Sequence, residues 1–117
     1  MRILVATLVA ACAAASQNYR VDLDADMAIA DPSFEAGRGP RVLYDEGHNN
    51  ILKLESDYEP FGRLIRNDGF VLDVRRDRFT ENVLRPYRII VIVAAWGSVN
   101  ARLAHNDPFT VAERKAI

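Results

Sequence analysis

The sequence predicts an α/β fold: a mostly parallel, doubly wound sheet of about three strands with flanking helices. Three short apolar runs, at 42–44, 70–74 and 88–95, each end in a polar or glycine-containing loop. Helical patterns lie between and after these runs, at 56–69 and 110–117. Alternating strands and helices favour βαβ units with parallel strands. With only three strands, such a sheet would be incomplete.

The composition indicates one globular domain without a strong overall charge. The chain has 117 residues, of which 50% are hydrophobic and 26% charged, and its formal net charge is −1. The basic cluster Arg75, Arg76 and Arg78 is diluted by Asp73 and Asp77. We therefore expect no nucleic-acid partner. The sequence has no G-x-G-x-x-G or Walker motif, so we also expect no nucleotide cofactor.

Residues 1–17 have the pattern of a secretory signal peptide. Arg2 precedes the uncharged segment Ile3–Ala15, which ends in small side chains. This pattern predicts export to the periplasm or the extracellular space; the alternative is a buried N-terminal helix or strand. Cys12 lies in a stretch similar to a lipoprotein box and could carry a lipid anchor that attaches the protein to a membrane. It is also the only cysteine, so the exported body would contain no disulfide and no cysteine nucleophile.

Residues 18–40 are predicted to form an extended acidic linker before the domain at 41–117. Asp22, Asp24 and Asp26 alternate as in the first half of a calcium-binding EF-hand loop. Met27 and Ser33 stand where such a loop needs glycine and glutamate. A calcium site is therefore not expected in this segment.

Capping signals and an apolar stripe predict the two helices. Ser56 and Glu59 have the spacing of a capping box, and Gly69 is suited to ending the helix that follows. The stripe expected to face the sheet consists of Phe61, Leu64 and Ile65. Thr110 and Glu113 form a second capping box, which opens the last predicted helix.

The third apolar run, 88–95, is predicted to lie in the middle of the sheet. Its sequence, RIIVIVAA, shows no alternation of polar and apolar residues, which is typical of a strand buried on both faces. One short helical turn at 80–84 is expected to connect it to the second run. Unpaired edge strands favour association with another chain. We therefore expect either a homodimer that completes the sheet or a chain truncated from a larger domain.

The polar residues after the first strand are the main site candidates, because the ligand crevice of such sheets lies at the carboxyl ends of the strands. Asp45, Glu46 and His48 are candidates for catalysis, with His48 as a general base oriented by a carboxylate. Asp45 and His48 are also weak candidates for a metal site with His105. Against this, adjacent Asp and Glu side chains are not expected both to turn inward from a strand. The structural alternative is a loop in which Asp45 and Asn49 hydrogen-bond the backbone.

A ligand-binding site without catalysis is the second hypothesis for these loops. Its candidate residues are His48, Asn49, Asn50 and Trp96. Trp96 follows the third strand, where it could stack on a sugar or another flat small molecule; burial in the core is the alternative.

Several of these segments resemble a bacterial exported family of unknown function that has a class I glutamine amidotransferase-like (flavodoxin-like) domain. The family pattern is a strand running into D-E-x-H-N-N, a Y-x-P-F helix ending in Asp-Gly, an apolar strand, and Phe-Thr opening a helix. The matching residues are Asp45, Glu46, His48, Asn49, Asn50, Tyr58, Pro60, Phe61, Asp68, Gly69, Phe109 and Thr110. The resemblance implies a flavodoxin-like fold for residues 31–117.

The chain departs from the family pattern in two places. Ala94 stands where the family has an asparagine, and the family's further Gly-Gly turn, apolar strand and Asp-His motif have no counterpart here. By this resemblance the chain corresponds to a truncated N-terminal half of the domain. The amidotransferase nucleophile is a cysteine, which the predicted body lacks, so the resemblance does not imply glutaminase activity. Our favoured hypothesis is a ligand-binding or accessory module; the alternatives are a hydrolase or metal-dependent enzyme built on Asp45, Glu46 and His48, and a gene fragment without function.

Overall fold

A computed structural model describes residues 20–97 and 107–117 as an alternation of strands and helices. The elements are β1 (Arg41–Asp45), α1 (Glu59–Asn67), β2 (Val71–Arg75), α2 (Glu81–Leu84), β3 (Ile89–Val91) and α3 (Val111–Ala116). The predicted signal peptide, Cys12 and His105 lie outside these residues. Within them, no helix is both long and apolar enough to cross a membrane.

The strands form one parallel sheet in the order β2-β1-β3, so β1 is central. Val42 of β1 is in register with Leu72 of β2 on one side and with Ile89 of β3 on the other. The predicted α/β fold with an incomplete doubly wound sheet is therefore confirmed. β2 and β3 lie on opposite sides of β1, so the sheet grows in one direction from β1 to β2 and then in the opposite direction with β3. The strand order therefore reverses between β1 and β3. Ligand crevices of open α/β sheets lie at this reversal.

Hydrophobic clusters cover both faces of β1. Val42 and Tyr44 point to one face, where α1 contributes Phe61 and Ile65. Leu43 points to the other face, where it packs with residues of α2 and α3. Burial raises the pKa of the Tyr44 hydroxyl to about 12, because the ionised phenolate would lose its hydration. The central strand is thus buried on both sides, and its last residue ends between two packed layers.

The prediction that 88–95 is a central strand is wrong in the described part of the chain. β3 comprises only three residues and lies at an edge of the sheet, and Ile89 is 42% exposed. The chain leaves the sheet after Val91, and Ala94 adopts a positive φ of 45°. Asn50 of the loop after β1 forms an antiparallel bridge with Ala95. The second half of the apolar run therefore pairs with a loop instead of extending the strand.

The predicted start of α1 is also wrong, whereas its end is confirmed. Tyr58, not Ser56, precedes the helix and caps it with no side-chain hydrogen bond; the Ser56 hydroxyl donates to Asp57 instead. Leu64 of the predicted stripe is exposed. Gly69 follows the helix with φ +90°, a conformation in which a Cβ would strike the Phe34 backbone. The helix is therefore fixed by core packing and its C-terminal turn rather than by an N-terminal capping box.

The segment at 20–40 has no regular secondary structure, in keeping with the extended linker predicted there, but it is docked on α1 and the turn that follows. Arg63 donates to the carbonyl of Leu23, and Asn67 donates to the carbonyl of Met27. Phe34 packs edge-on against Phe70, with ring centroids 5.0 Å apart. These contacts place the segment against the α1 side of the sheet, away from the end of β1.

The predicted short helical turn is α2, and its cap provides a direct test of local stability. The Thr80 hydroxyl accepts a hydrogen bond from the Val83 N–H. We expect Thr80→Ala to lower the free energy of unfolding in urea by about 1 kcal/mol, since the helix would lose an N-cap acceptor. Thr80→Ser keeps the hydroxyl and should stay close to the wild-type value. Equal losses in the two variants would contradict the cap.

Candidate functional site

The loop after β1 folds around the carboxylate of Asp45, the last residue of the central strand. Asp45 Oδ1 accepts from the Gly47 N–H at 3.0 Å, and Oδ2 accepts from the Asn50 amide at 3.1 Å. Asn50 Oδ1 in turn accepts from the His48 N–H at 3.0 Å. Asp45 does bond loop backbone, as the structural alternative proposed. The amide that completes the turn, however, belongs to Asn50 and not to Asn49.

His48 lies between two carboxylates. Its Nδ1 is 2.8 Å from Asp45 Oδ1, and its Nε2 is 2.9 Å from Oε1 of Glu113 in α3. The imidazole ring lies 4.5 Å from each of the rings of Phe79 and Phe109, measured between centroids. The residue is only 1% exposed. His48 therefore joins the end of β1 to α3 inside an aromatic cage.

Glu113 has hydrogen-bond partners from three segments. Besides His48, it accepts from the Thr110 N–H at 2.8 Å and from the Phe79 N–H at 3.3 Å. The Thr110 hydroxyl accepts from the Glu113 N–H, which confirms the predicted capping box of α3. One carboxylate thus caps its own helix and also connects that helix to the sheet.

The hydrogen bonds of this network favour the ionised form of Glu113. Burial by itself would raise the pKa of Glu113, but the hydrogen bonds from Thr110, His48 and Phe79 outweigh it and lower the pKa to about 2. An ionised carboxylate only accepts hydrogen bonds, so both ring nitrogens of His48 can donate to their partners only when the imidazole is protonated. Arg78, 3.6 Å from Glu113, adds a second positive charge at the protein surface. The ring nitrogens of His48 therefore each face an acidic side chain.

Glu46 is buried as well, on the opposite side of the sheet from Asp45. It accepts from the Leu54 N–H at 3.0 Å, and Arg76 donates to its other oxygen at 2.8 Å. The expectation that adjacent acidic residues cannot both turn inward is wrong here. Both faces of β1 are covered, so alternating side chains of the strand both enter the interior. The basic cluster stays partly exposed to solvent, and Arg75, Arg76 and Arg78 each also contact an acidic residue.

Gly47 separates the two acidic residues from His48 because no side chain fits at this position. A Cβ there would lie 2.8 Å from the carbonyl oxygen of Arg76. The loop after β1 therefore passes against the backbone that follows β2, at the same end of the sheet.

The loops after β1 and β3 are joined to each other by hydrogen bonds. The Gly97 N–H donates to the carbonyl of His48 at 2.9 Å, and the Ile51 N–H donates to that of Ala94 at 3.3 Å. The Asn50 amide also donates to the carbonyl of Val93. These hydrogen bonds therefore bridge the gap between the carboxyl ends of β1 and β3, which is where the ligand crevice of such a sheet lies.

The candidate ligand-binding residues fall into two groups. His48 and Asn50 are buried in the network, whereas Asn49 and Trp96 are at the surface, and Trp96 is 47% exposed. Asn49 has a positive φ of 52°, which asparagine tolerates better than most residues. Ile51 is 53% exposed and completes the outer surface of the joined loops. We call Asn49, Ile51 and Trp96 the carboxyl-edge surface.

The burial of Asp45, Glu46 and His48 bears on the catalytic hypothesis. Each side chain is enclosed and hydrogen-bonded to protein groups, so none faces solvent where a substrate could reach it. In the described part of the chain, no group of three His, Cys, Asp or Glu side chains is arranged to hold a metal ion. The geometry gives these residues a structural role.

Sequence reasoning missed the partners of His48. Glu113 was interpreted only as a helix cap, and the aromatic cage of Phe79 and Phe109 was not anticipated. The sequence signal available was local: Phe109 and Thr110 precede Glu113 as a helix-opening pattern. Nothing local indicates that this cap lies against a residue 65 positions earlier.

Comparisons of the sequence with protein-family models and with curated proteins, and of the fold with solved structures, found no match. The resemblance to the amidotransferase-like family therefore stays a prediction.

Proposed function

We propose that this protein is an exported binding module with a non-catalytic amidotransferase-like fold, which uses the carboxyl-edge surface to bind a small molecule. The proposal is supported by one observation above all: the loops after β1 and β3 are joined by hydrogen bonds over a buried hydrogen-bond network. A binding surface on such a support is preorganised, so binding costs little ordering entropy.

The surface itself indicates the kind of ligand. Trp96 and Ile51 supply exposed apolar area beside the exposed polar side chain of Asn49. An aromatic ring next to a polar group suits a flat molecule or a sugar, because the ring contacts the C–H face while the polar group fixes the orientation. The open edge of β3 supports a second copy of this chain as a further partner, since Ile89 remains partly exposed there.

The fluorescence of Trp96 can be used to measure binding at this surface, because Trp96 is the only tryptophan of the chain. We expect chitobiose, as a sugar probe, or benzoate, as a flat aromatic probe, to change its fluorescence emission in a saturable manner. Ile51→Ser should weaken that binding by about 1–2 kcal/mol, because the variant removes apolar contact area. Leu64→Ser, at an exposed position of α1, is the matched control and should leave binding unchanged.

Two results would count against this proposal. Emission that stays constant for both probes would contradict a sugar or aromatic site at Trp96. Hydrolysis of a glycoside or ester substrate that disappears in a folded His48→Ala variant would favour the enzyme hypothesis instead.

A further inference from the structure

A pocket of about 440 Å³ lies at the other side of β3 from the carboxyl-edge surface, between α2, the start of β3 and the end of α3. Its volume is within the range of small-molecule sites. Its inner wall is apolar and belongs to the second core cluster: Leu84 is buried, and Ile90 and Ala116 are half-buried. An apolar group that enters this pocket would contact the core directly.

Charged side chains lie at the rim of the same pocket. Arg85 and Arg88 both line it, and neither forms an ion pair or a side-chain hydrogen bond within the described residues. This distinguishes them from Arg41 and Arg76, whose guanidinium groups are held by Asp73 and Glu46. Glu81 also lines the pocket, as does Ile117, the last residue of the sequence, so the arginine side chains of the lining outnumber its acidic side chains by one. Two unpaired guanidinium groups favour an anionic head group.

The Tyr87 side of the pocket is held in place by contacts with Arg41. Tyr87 lines it, and the Arg41 guanidinium stacks over the Tyr87 ring at 5.3 Å from the ring centroid. Arg41 is itself fixed by Asp73, to which it donates at 2.6 Å. The aromatic wall is therefore positioned independently of any ligand.

We propose that this pocket binds a small carboxylate with an apolar body, whose head group pairs with Arg85 and Arg88 and whose body lies against Leu84 and Ile90. The apolar wall and the two unpaired arginines line the same cavity. An apolar wall alone would suit an uncharged apolar molecule, and the arginines alone would suit a small anion without an apolar body. This site is separate from the carboxyl-edge surface and does not depend on the function proposed for that surface.

The test uses octanoate as the probe and the full chain, observed by amide chemical shifts in heteronuclear NMR. We expect octanoate to perturb the amides of residues 84, 85, 87–90 and 116, and to bind at least tenfold more tightly than 1-octanol or acetate. The Arg85→Gln/Arg88→Gln double variant should weaken octanoate binding about tenfold. Arg66→Gln, at an exposed arginine of α1, is the matched control and should bind as the wild type does.

Three results would overturn the proposal. The first is the absence of shifts in these segments at millimolar octanoate. The second is equal affinity for octanoate and 1-octanol, which would mean an apolar cavity without anion recognition. The third is unchanged octanoate affinity in a folded double variant, with folding judged by an amide spectrum that matches the wild type outside the pocket.

Discussion

Replacing His48 with alanine is expected to lower the free energy of unfolding by about 3–5 kcal/mol. The imidazole lies between Asp45 and Glu113, at 2.8 and 2.9 Å, and all three side chains are buried. Removing it leaves two buried carboxylates without the group that neutralises them. The variant also leaves a cavity between Phe79 and Phe109, whose rings each contact the imidazole. The loss of the imidazole from the network and the cavity both lower the free energy of unfolding.

Urea unfolding followed by far-UV circular dichroism measures this loss. Asn49→Gly is a suitable control, because Asn49 is exposed and its positive φ is one that glycine adopts freely. We expect the control to change stability by less than about 0.5 kcal/mol. A His48→Ala variant as stable as the control would mean that the network contributes nothing to folding, and the structural role assigned to His48 would then be wrong.

Charge can be separated from volume with His48→Leu, which refills part of the cavity but leaves Asp45 and Glu113 without the imidazole between them. If the missing cation dominates, leucine should restore little of the stability lost in the alanine variant. If packing dominates, leucine should restore most of it. The network geometry, with a carboxylate at each ring nitrogen, favours the first result.

The parts of the fold that the sequence predicted correctly are those with local causes. Thr110 and Glu113 form a capping box because a hydroxyl and a carboxylate three residues apart satisfy each other's backbone N–H groups. Gly69 ends α1 because the chain there needs a positive φ. Both features depend on a few consecutive residues, and the sequence contains that information directly.

The features that the sequence did not predict depend on contacts between distant segments. The run at 88–95 has the composition of a central strand, yet it leaves the sheet at Val91 because Asn50 pairs with Ala95. Likewise, Asp45 and Glu46 could both be buried only because helices cover both faces of β1. Hydrophobic periodicity reports burial along one segment, but it does not report which distant segment covers it.

The sequence predicts a candidate site in the loop after β1, and the structure shows how the side chains of that loop are arranged. The loop after β1 does lie at the carboxyl end of the sheet, beside the loop after β3. The residue types there suggested catalysis, whereas their hydrogen bonds are directed to the protein itself. His48 illustrates why: the same imidazole and carboxylates can act as an acid–base pair or as a buried ion network, and only solvent exposure separates the two.

The second large effect is expected on acidification, through Glu113. Its pKa in the folded protein is about 2, below its ordinary value of 4.5. In this interval the unfolded chain binds a proton that the folded protein does not bind, so acid favours unfolding. The contribution of Glu113 is fully present above about pH 5 and is lost as the pH falls toward 2. We expect this loss to be on the order of 3 kcal/mol.

Glu113→Gln isolates this contribution, because glutamine has nearly the same shape but does not ionise. At pH 7 the variant should be less stable than the wild type, since a neutral amide accepts the hydrogen bonds of the Thr110 and Phe79 N–H groups less strongly than a carboxylate does, and its NH2 group adds a donor. As the pH falls from 5 to 2, the difference between the two proteins should shrink, because the wild-type carboxylate becomes protonated as well. Urea unfolding at a series of pH values gives both curves.

Glu55→Gln serves as the reference, because Glu55 is an exposed glutamate in the loop before α1. Its stability curve should follow that of the wild type at every pH. A Glu113→Gln curve that stays a constant distance below the wild type down to pH 2 would mean that the carboxylate is not held ionised by His48, Thr110 and Phe79. A shrinking difference, together with a large loss in His48→Ala, would show that one buried ion network connects α3 to the central strand. The carboxyl-edge surface would then rest on a support that loses the charge of Glu113 as the pH approaches 2, and any ligand that it binds should bind less tightly over that range.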